Sequence, residues 1–300
     1  MSSTRPIRPR TSQAQKIAAR RAAELHRRLI LLACASIAVV FAVFAALLIA
    51  KAVGGAPQHS SAAASPSPSA DVTAQVVAAA TRVPASALDS VGRGSATNPP
   101  AHISGGTALT SDGKPQVVYL GYEWCPYCAA QRWAIVVALS RFGTFSGLGL
   151  TQSASDDVYP STHTFTFANA TYTSRYLAFG SAEMQDVNRN PLQAPTTAQQ
   201  QLLSVFDEPP YVPAASAGGI PFLDLGGKYL VNGASYSPQT LAGQTWTEIA
   251  SALSQPASAD ARGIDGAANM LTAAMCTLTG NQPAAVCSSA AVTSANGALK

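Results

Sequence analysis

Charge is scarce in this chain. Only 11% of its 300 residues are Asp, Glu, Lys or Arg. The positive charge that exists is confined to one end. Residues 1–28 carry eight Arg or Lys against Glu24 alone, a balance of +7, and the other 272 residues hold 11 basic and 14 acidic side chains, a balance of −3. A basic terminal arm followed by a slightly acidic body excludes a nucleic-acid-binding face and suits a signal for membrane orientation. Metal-ligand types are equally thin. There are five cysteines and four histidines. His59, His102 and His163 form no ligand-spaced pair, so a zinc site built from one C-x-x-C lacks half of its ligands. No internal repeat is present.

Charge is absent altogether from Leu29 to Ala50, "LILLACASIAVVFAVFAALLIA", a run of 22 residues. As a helix it spans roughly 33 Å, enough to cross a hydrocarbon core of about 30 Å. The arm at 1–28 then faces the cytoplasm and everything after 50 faces outward. The alternative is a cleaved signal peptide ending at the loose Ala50-Lys51-Ala52 site, but the apolar run is longer than a usual signal core. Both readings export the C-terminal part. The expected organisation is a basic cytoplasmic arm (1–28), a single transmembrane helix (29–50) and a flexible Pro/Ser/Ala-rich linker (51–70). An N-terminal extension (71–113) and the main domain (114–300) follow. Cys34, inside the span, reads as a small apolar residue.

The exported part alternates strand and helix signals, which predicts an α/β layered domain with a central mixed sheet flanked by helices. "DVTAQVVAAA" (71–80) has helical spacing, and "ALDSVGRGSATNPP" (87–100) reads as loop. "QVVYLGY" (116–122) is a buried strand by its β-branched and aromatic content. Cys125 to about Phe142 is a helix with Ala129, Trp133, Val136, Val137 and Leu139 on a wide apolar face, stopping near Gly143. Strand pieces are expected at 147–153, 163–172 and 175–185, and a helix at 197–207. Gly226-Gly227 predicts a two-residue hairpin turn between "IPFLDL" and "KYLVNG". Residues 263–279 read as a last amphipathic helix.

The stretch "GYEWCPYCAAQRW" (121–133) carries the chemistry. A C-x-x-C just after a strand puts Cys125 at a helix N-terminus and Cys128 one turn in. Unpaired N–H groups and the helix dipole there favour a thiolate. That makes Cys125 the better nucleophile, with Cys128 behind it to resolve a mixed disulfide. Pro126 suits the first helical position, where no N–H is needed. Glu123 is expected to be a solvated side chain. Two other readings remain beside the redox pair: half of a metal site, and two inert core thiols. The first is short of ligands, and the second sits badly with an oxidising compartment.

"YEWCPYC" (122–128) resembles the strand-to-helix turn of the thioredoxin-like superfamily, and its Pro-Tyr dipeptide is similar to that of glutaredoxins. "GGIPFLDLGGKYLVNG" (218–233) resembles the Gly-Ile-Pro segment before the final hairpin of thioredoxins. The pattern also looks like a little-characterised prokaryotic family of membrane-anchored thioredoxin-like proteins, a domain of unknown function, over about 114–255. The resemblance implies a cis Pro221 facing the cysteine pair, with Ile220 presenting backbone groups to a substrate chain. Trp124 and Tyr127 are then expected to line the contact surface beside Pro126. One departure is Tyr119, which stands where thioredoxins bury an acid. Another is the interval of 96 residues from Cys125 to Pro221, which implies an insertion within 147–210.

Cys276 and Cys287 have ten residues between them. In an exported domain a structural disulfide is the default for such a pair; a shuttle relaying electrons to Cys125 and Cys128 is the alternative. The expectation for the whole chain is a membrane-anchored, extracytoplasmic thiol–disulfide oxidoreductase with no cofactor and no metal. Its expected partners are thiols and disulfides of exported proteins and a membrane redox partner. The second class of function is a non-catalytic binding module, in which the pair is a structural disulfide or a metal ligand.

Overall fold

The computed structural model describes residues 68–299. The arm at 1–28, the span at 29–50 and nearly all of the linker at 51–70 lie outside the described residues. Among the described residues no helix is long and apolar enough to cross a membrane.

Two helices open the described part. α1 (Ala70–Thr81) starts where the Ser69 side chain accepts the Val72 N–H. α2 (Ala85–Val91) follows, so the segment expected as loop from 87 begins instead inside a helix. Pro84 explains the start: it stands at the cap, just before the first helical turn, and the residues after it include good helix formers. Val76, Ala80 and Leu88 from these helices lie in the main core.

The central sheet is mixed. Its strands are β1 (Ala101–His102), β2 (Thr110–Ser111), β3 (Lys114–Gly121), β8 (Ala178–Glu183), β9 (Phe222–Leu225) and β10 (Tyr229–Asn232). The order is β1-β10-β9-β3-β2, with β8 also beside β3. β3 pairs parallel with β8, from Gln116↔Ala178 to Gly121↔Glu183. It pairs antiparallel with β9, from Val117↔Leu225 to Leu120↔Phe222. Successive residues of β3 face opposite cores, as the pleat requires. Val117 and Tyr119 join the larger cluster, while Val118 and Leu120 join the smaller one with Phe222, Leu230 and Ile103. A strand covered on both faces reads as a continuous apolar run, which is why "VVYL" shows no alternation.

Two small antiparallel sheets fill the interval between β3 and β8. One pairs β4 (Gly143–Ser146) with β7 (Thr171–Ser174). The other pairs β5 (Gly149–Gln152) with β6 (His163–Thr166). The second braces the helix that carries the cysteines, α3 (Pro126–Ser140). Thr164 donates to the Ala129 carbonyl at 2.7 Å, and Trp133 Nε1 donates to the His163 carbonyl at 3.0 Å. α3 is buried around nearly its whole circumference from Cys128 to Leu139, not on one wide face.

α4 (Thr197–Phe206) carries a capping box made by Thr196 and Gln199, and covers the other side of the sheet through Leu202, Leu203 and Phe206. The hairpin turn has both glycines at positive φ, +67° and +66°, and Lys228 N–H donates to the Leu225 carbonyl at 3.1 Å. Tyr229 is the partner of Leu225, so the loop holds three residues where two were expected, with Lys228 as the extra one.

After α5 (Trp246–Ala252) comes α6 (Ala259–Leu278). The expected amphipathic helix at 263–279 is longer at its start and is buried on all sides from Gly263 to Cys276. It contacts α3, and two further short helices, α7 (Ala284–Cys287) and α8 (Ala290–Asn296), close over it. It is therefore a central helix and not the last one. Cys276 and Cys287 form a disulfide, with Cα atoms 5.6 Å apart, tying the end of α6 to α7.

Candidate active site

The site assembles at the C-terminal end of β3. The chain leaves the sheet at Gly121, and Cys125 caps α3. Its Sγ accepts the Cys128 N–H at 3.3 Å, and Pro126 occupies the first helical turn. This is the arrangement the spacing predicts, because a cap needs an acceptor and the next position needs no donor. Both thiols are free. Cys125 is 4% exposed and Cys128 is fully buried.

Their environments push them apart. The Cys125 thiol is lowered from the ordinary cysteine range, first by the hydrogen bond from the Cys128 side chain. Burial opposes this, while the Cys128 and Tyr127 N–H groups and the Arg132 charge add to it. The Cys128 thiol is raised well above that range, by burial first and then by Cys125, with Arg132 opposing. A pair split in this way has a more acidic thiol at its edge and a thiol that holds its proton within.

Arg132 is a buried charge beside the pair that sequence reading missed. It is fully buried and meets an equally buried Glu183 at the end of β8. Nε donates to Glu183 Oε1 at 2.8 Å and Nη2 to Oε2 at 2.7 Å, and Nη2 also donates to the Tyr122 carbonyl at 2.7 Å. The guanidinium lies 5.9 Å from the centre of the Tyr119 ring. One signal was present: Arg132 is the single charge between Pro126 and Ser140. A lone charge in an otherwise apolar helix needs a partner once that helix is buried.

Glu123 is not a solvated side chain. It is buried, and accepts hydrogen bonds from Thr166 and Thr151. Its carboxyl is raised from the usual value by burial, with the Thr166 hydroxyl opposing. The β5–β6 sheet supplies both threonines and covers the position from a distance in sequence that no local pattern reveals.

The other expected residues lie on the same turn or on the segment that leads into β9. Trp124 is half-buried, stacked on Tyr122 at 5.2 Å, with Arg189 over its ring at 5.1 Å. Its Nε1 donates to Gln185 Oε1 at 2.7 Å. Tyr127 is 41% exposed and meets Tyr159 in a T-shaped contact, ring centres 5.9 Å apart. Pro126 is buried. The Ile220–Pro221 peptide is cis. The β3–β9 register ends at Leu120↔Phe222, and its continuation sets Pro221 across from Gly121. Gly121 is thus flanked by Glu183 on one side and Pro221 on the other. A Cβ at Gly121 would strike the Tyr119 hydroxyl and come within 3.0 Å of Cys128 Sγ. Among the described residues neither the N–H nor the carbonyl of Ile220 has a backbone partner, whereas the Pro221 carbonyl accepts from Gly233 N–H at 2.8 Å.

Cys276 and Cys287 are bonded to each other at the α6–α7 end and do not join this site. Among the described residues no group of three or more His, Cys, Asp or Glu is placed to hold a metal ion. No curated protein and no solved structure matches the chain. Residues 101–277, more than half of the chain, match the model of the family described as Domain of unknown function (DUF929), and the chain belongs to that family.

Proposed function

We propose that this chain is a thiol–disulfide oxidoreductase with a thioredoxin-like fold, anchored in the membrane by residues 29–50 and acting outside the cytoplasm on exported proteins. The observation that carries the proposal is the asymmetry of the pair: Cys125 Sγ at the helix cap, accepting the Cys128 N–H, and Cys128 sealed behind it. The fold reading is supported by chain order. A strand leads into the cysteine-bearing helix, a parallel strand follows, and a Gly-Ile-Pro segment precedes the hairpin β9–β10. The export reading is supported by the Cys276–Cys287 disulfide, a bond favoured in oxidising compartments.

In the reductive direction the Cys125 thiolate attacks a substrate disulfide and releases one substrate thiol. Cys128 then attacks Cys125 Sγ, forming the Cys125–Cys128 disulfide and releasing the second substrate thiol. In the oxidative direction the same bonds form and break in reverse. Ile220 holds the substrate backbone through its free N–H and carbonyl, beside Pro221. Trp124 and Tyr127 form the contact surface around the nucleophile.

The test is disulfide exchange by the full chain, followed as insulin reduction or as refolding of a scrambled substrate, with the redox potential of the pair measured alongside. Cys125→Ser is expected to abolish exchange. Full activity in that variant refutes the proposal. A pair that resists mild reductant and oxidant alike assigns the site to a binding module instead.

A further inference from the structure

We propose that Tyr119, which stands where the resemblance leaves a buried acid missing, and Arg132 prepare Cys128 to resolve the mixed disulfide. The inference rests on the oxidoreductase reading above and names the positioning residues of its second step.

Three observations converge on Cys128. First, two fully buried donors near it have no hydrogen-bond partner among the described residues: the Tyr119 hydroxyl and Arg132 Nη1. Such groups are rare and costly in a packed interior. Second, Gly121 places them. The Tyr119 hydroxyl and Cys128 Sγ both border the space a Cβ at Gly121 would fill, the sulfur at 3.0 Å from it and the hydroxyl closer. Third, Arg132 follows Cys128 by four positions on α3, so the two side chains share one face of the helix. Glu183 and the Tyr122 carbonyl hold its Nε and Nη2, which leaves Nη1 uncommitted.

The chemistry needs these groups. A sulfur in a dry core becomes an anion only where a cation or a donor meets it. Burial holds the Tyr119 hydroxyl well above the usual phenol range, so it remains a donor. Glu183 keeps the Arg132 guanidinium charged against the cost of burial. A buried carboxylate would take the Cys128 proton. A hydroxyl and a cation instead stabilise the thiolate once the proton has left. In the step itself the Cys128 sulfur attacks Cys125 Sγ of the Cys125–substrate disulfide. The Cys125–Cys128 bond forms, and the bond to the substrate sulfur breaks. That sulfur departs with the electron pair, and the proton given up by Cys128 ends on it, so no further oxidant or reductant is required.

The test uses the full chain in a Cys34→Ser background, with Cys125 loaded as its mixed disulfide with glutathione. The rate of glutathione release is measured against pH. Tyr119→Phe keeps the ring and removes the donor. It is expected to move the midpoint of the profile up by about one pH unit and to slow release about tenfold at neutral pH, as losing a hydrogen bond to a charged group does. Attack by Cys125 on oxidised glutathione, measured in a Cys128→Ser background, stays within about twofold of its unsubstituted rate. Arg132→Lys, which keeps the charge and loses Nη1, is the second variant and shifts release in the same direction. Release profiles of both variants that superimpose on the wild type overturn this inference and leave the oxidoreductase reading standing. A wild-type pair that releases no glutathione and forms no Cys125–Cys128 disulfide overturns both.

Discussion

Arg132 and Glu183 meet through two parallel hydrogen bonds of 2.8 and 2.7 Å beneath the cysteine turn, with neither side chain exposed. The pair joins the helix that carries the cysteines to the parallel strand β8. Its net contribution to stability is small, because desolvating two charges offsets most of their attraction. Its asymmetry is large. Glu183→Gln leaves a buried guanidinium without its counter-charge and is expected to cost about 3–5 kcal/mol. The urea unfolding midpoint measures this, and the double variant Arg132→Met/Glu183→Leu is expected to lose less than Glu183→Gln alone.

The split between the two thiols predicts selective alkylation. At mildly acidic pH an alkylating reagent is expected to label Cys125 at least about tenfold faster than Cys128, because only the thiolate reacts. Peptide mass spectrometry reads the two sites separately. Equal labelling in the folded protein contradicts the asymmetry on which the proposed function rests.

Three buried carboxyls predict how stability varies with pH. Burial raises Asp207 and Asp224 to about 6 and Asp265 to about 8. Each folded value lies above the unfolded value of about 3.9. The stabilisation is therefore fully present below about pH 4 and is lost as pH rises through each folded value. From these groups alone the melting temperature falls between about pH 4 and pH 8. Asp265, with both oxygens unpartnered among the described residues, dominates the upper half of that window. Asp265→Asn is expected to raise the melting temperature at pH 8 by several degrees, about 2–4 °C per kcal/mol in a domain of this size, and to leave it nearly unchanged at pH 4.

The Cys276–Cys287 bond closes a short loop between α6 and α7. Replacing both cysteines by serine is expected to cost about 2–3 kcal/mol by the chain-entropy estimate. A denaturant titration checks it. An unchanged midpoint would show that the packing of α7 and α8 on α6 supplies that stability without the bond.

Much of the site was readable locally. A β-branched run, a cysteine acting as cap and a proline at the first helical turn are events within a dozen residues, and each has a sequence signature. The positions of β9 and β10 were equally readable from their glycine turn. The loop length was not, because Lys228 is the extra residue between the strands and only the register with Leu225 exposes it. The segment at 87–91 was misread for a related reason. Its helix is short, and its Leu88 packs into the distant main core. Helices this short depend on tertiary packing more than on propensity.

By itself the sequence determined where the C-x-x-C pair sits, what caps its helix and which cysteines stand apart from it, because these depend on neighbours along the chain. Tertiary structure decided the electrostatics. Arg132 and Glu183 are 51 residues apart, and only the parallel pairing of β3 with β8 sets Glu183 across from Gly121. Glu123 looked solvated until the β5–β6 sheet brought Thr151 and Thr166 over it. Burial, not residue type, determines whether a charge or a thiol is costly, and burial is a property of the packed layers.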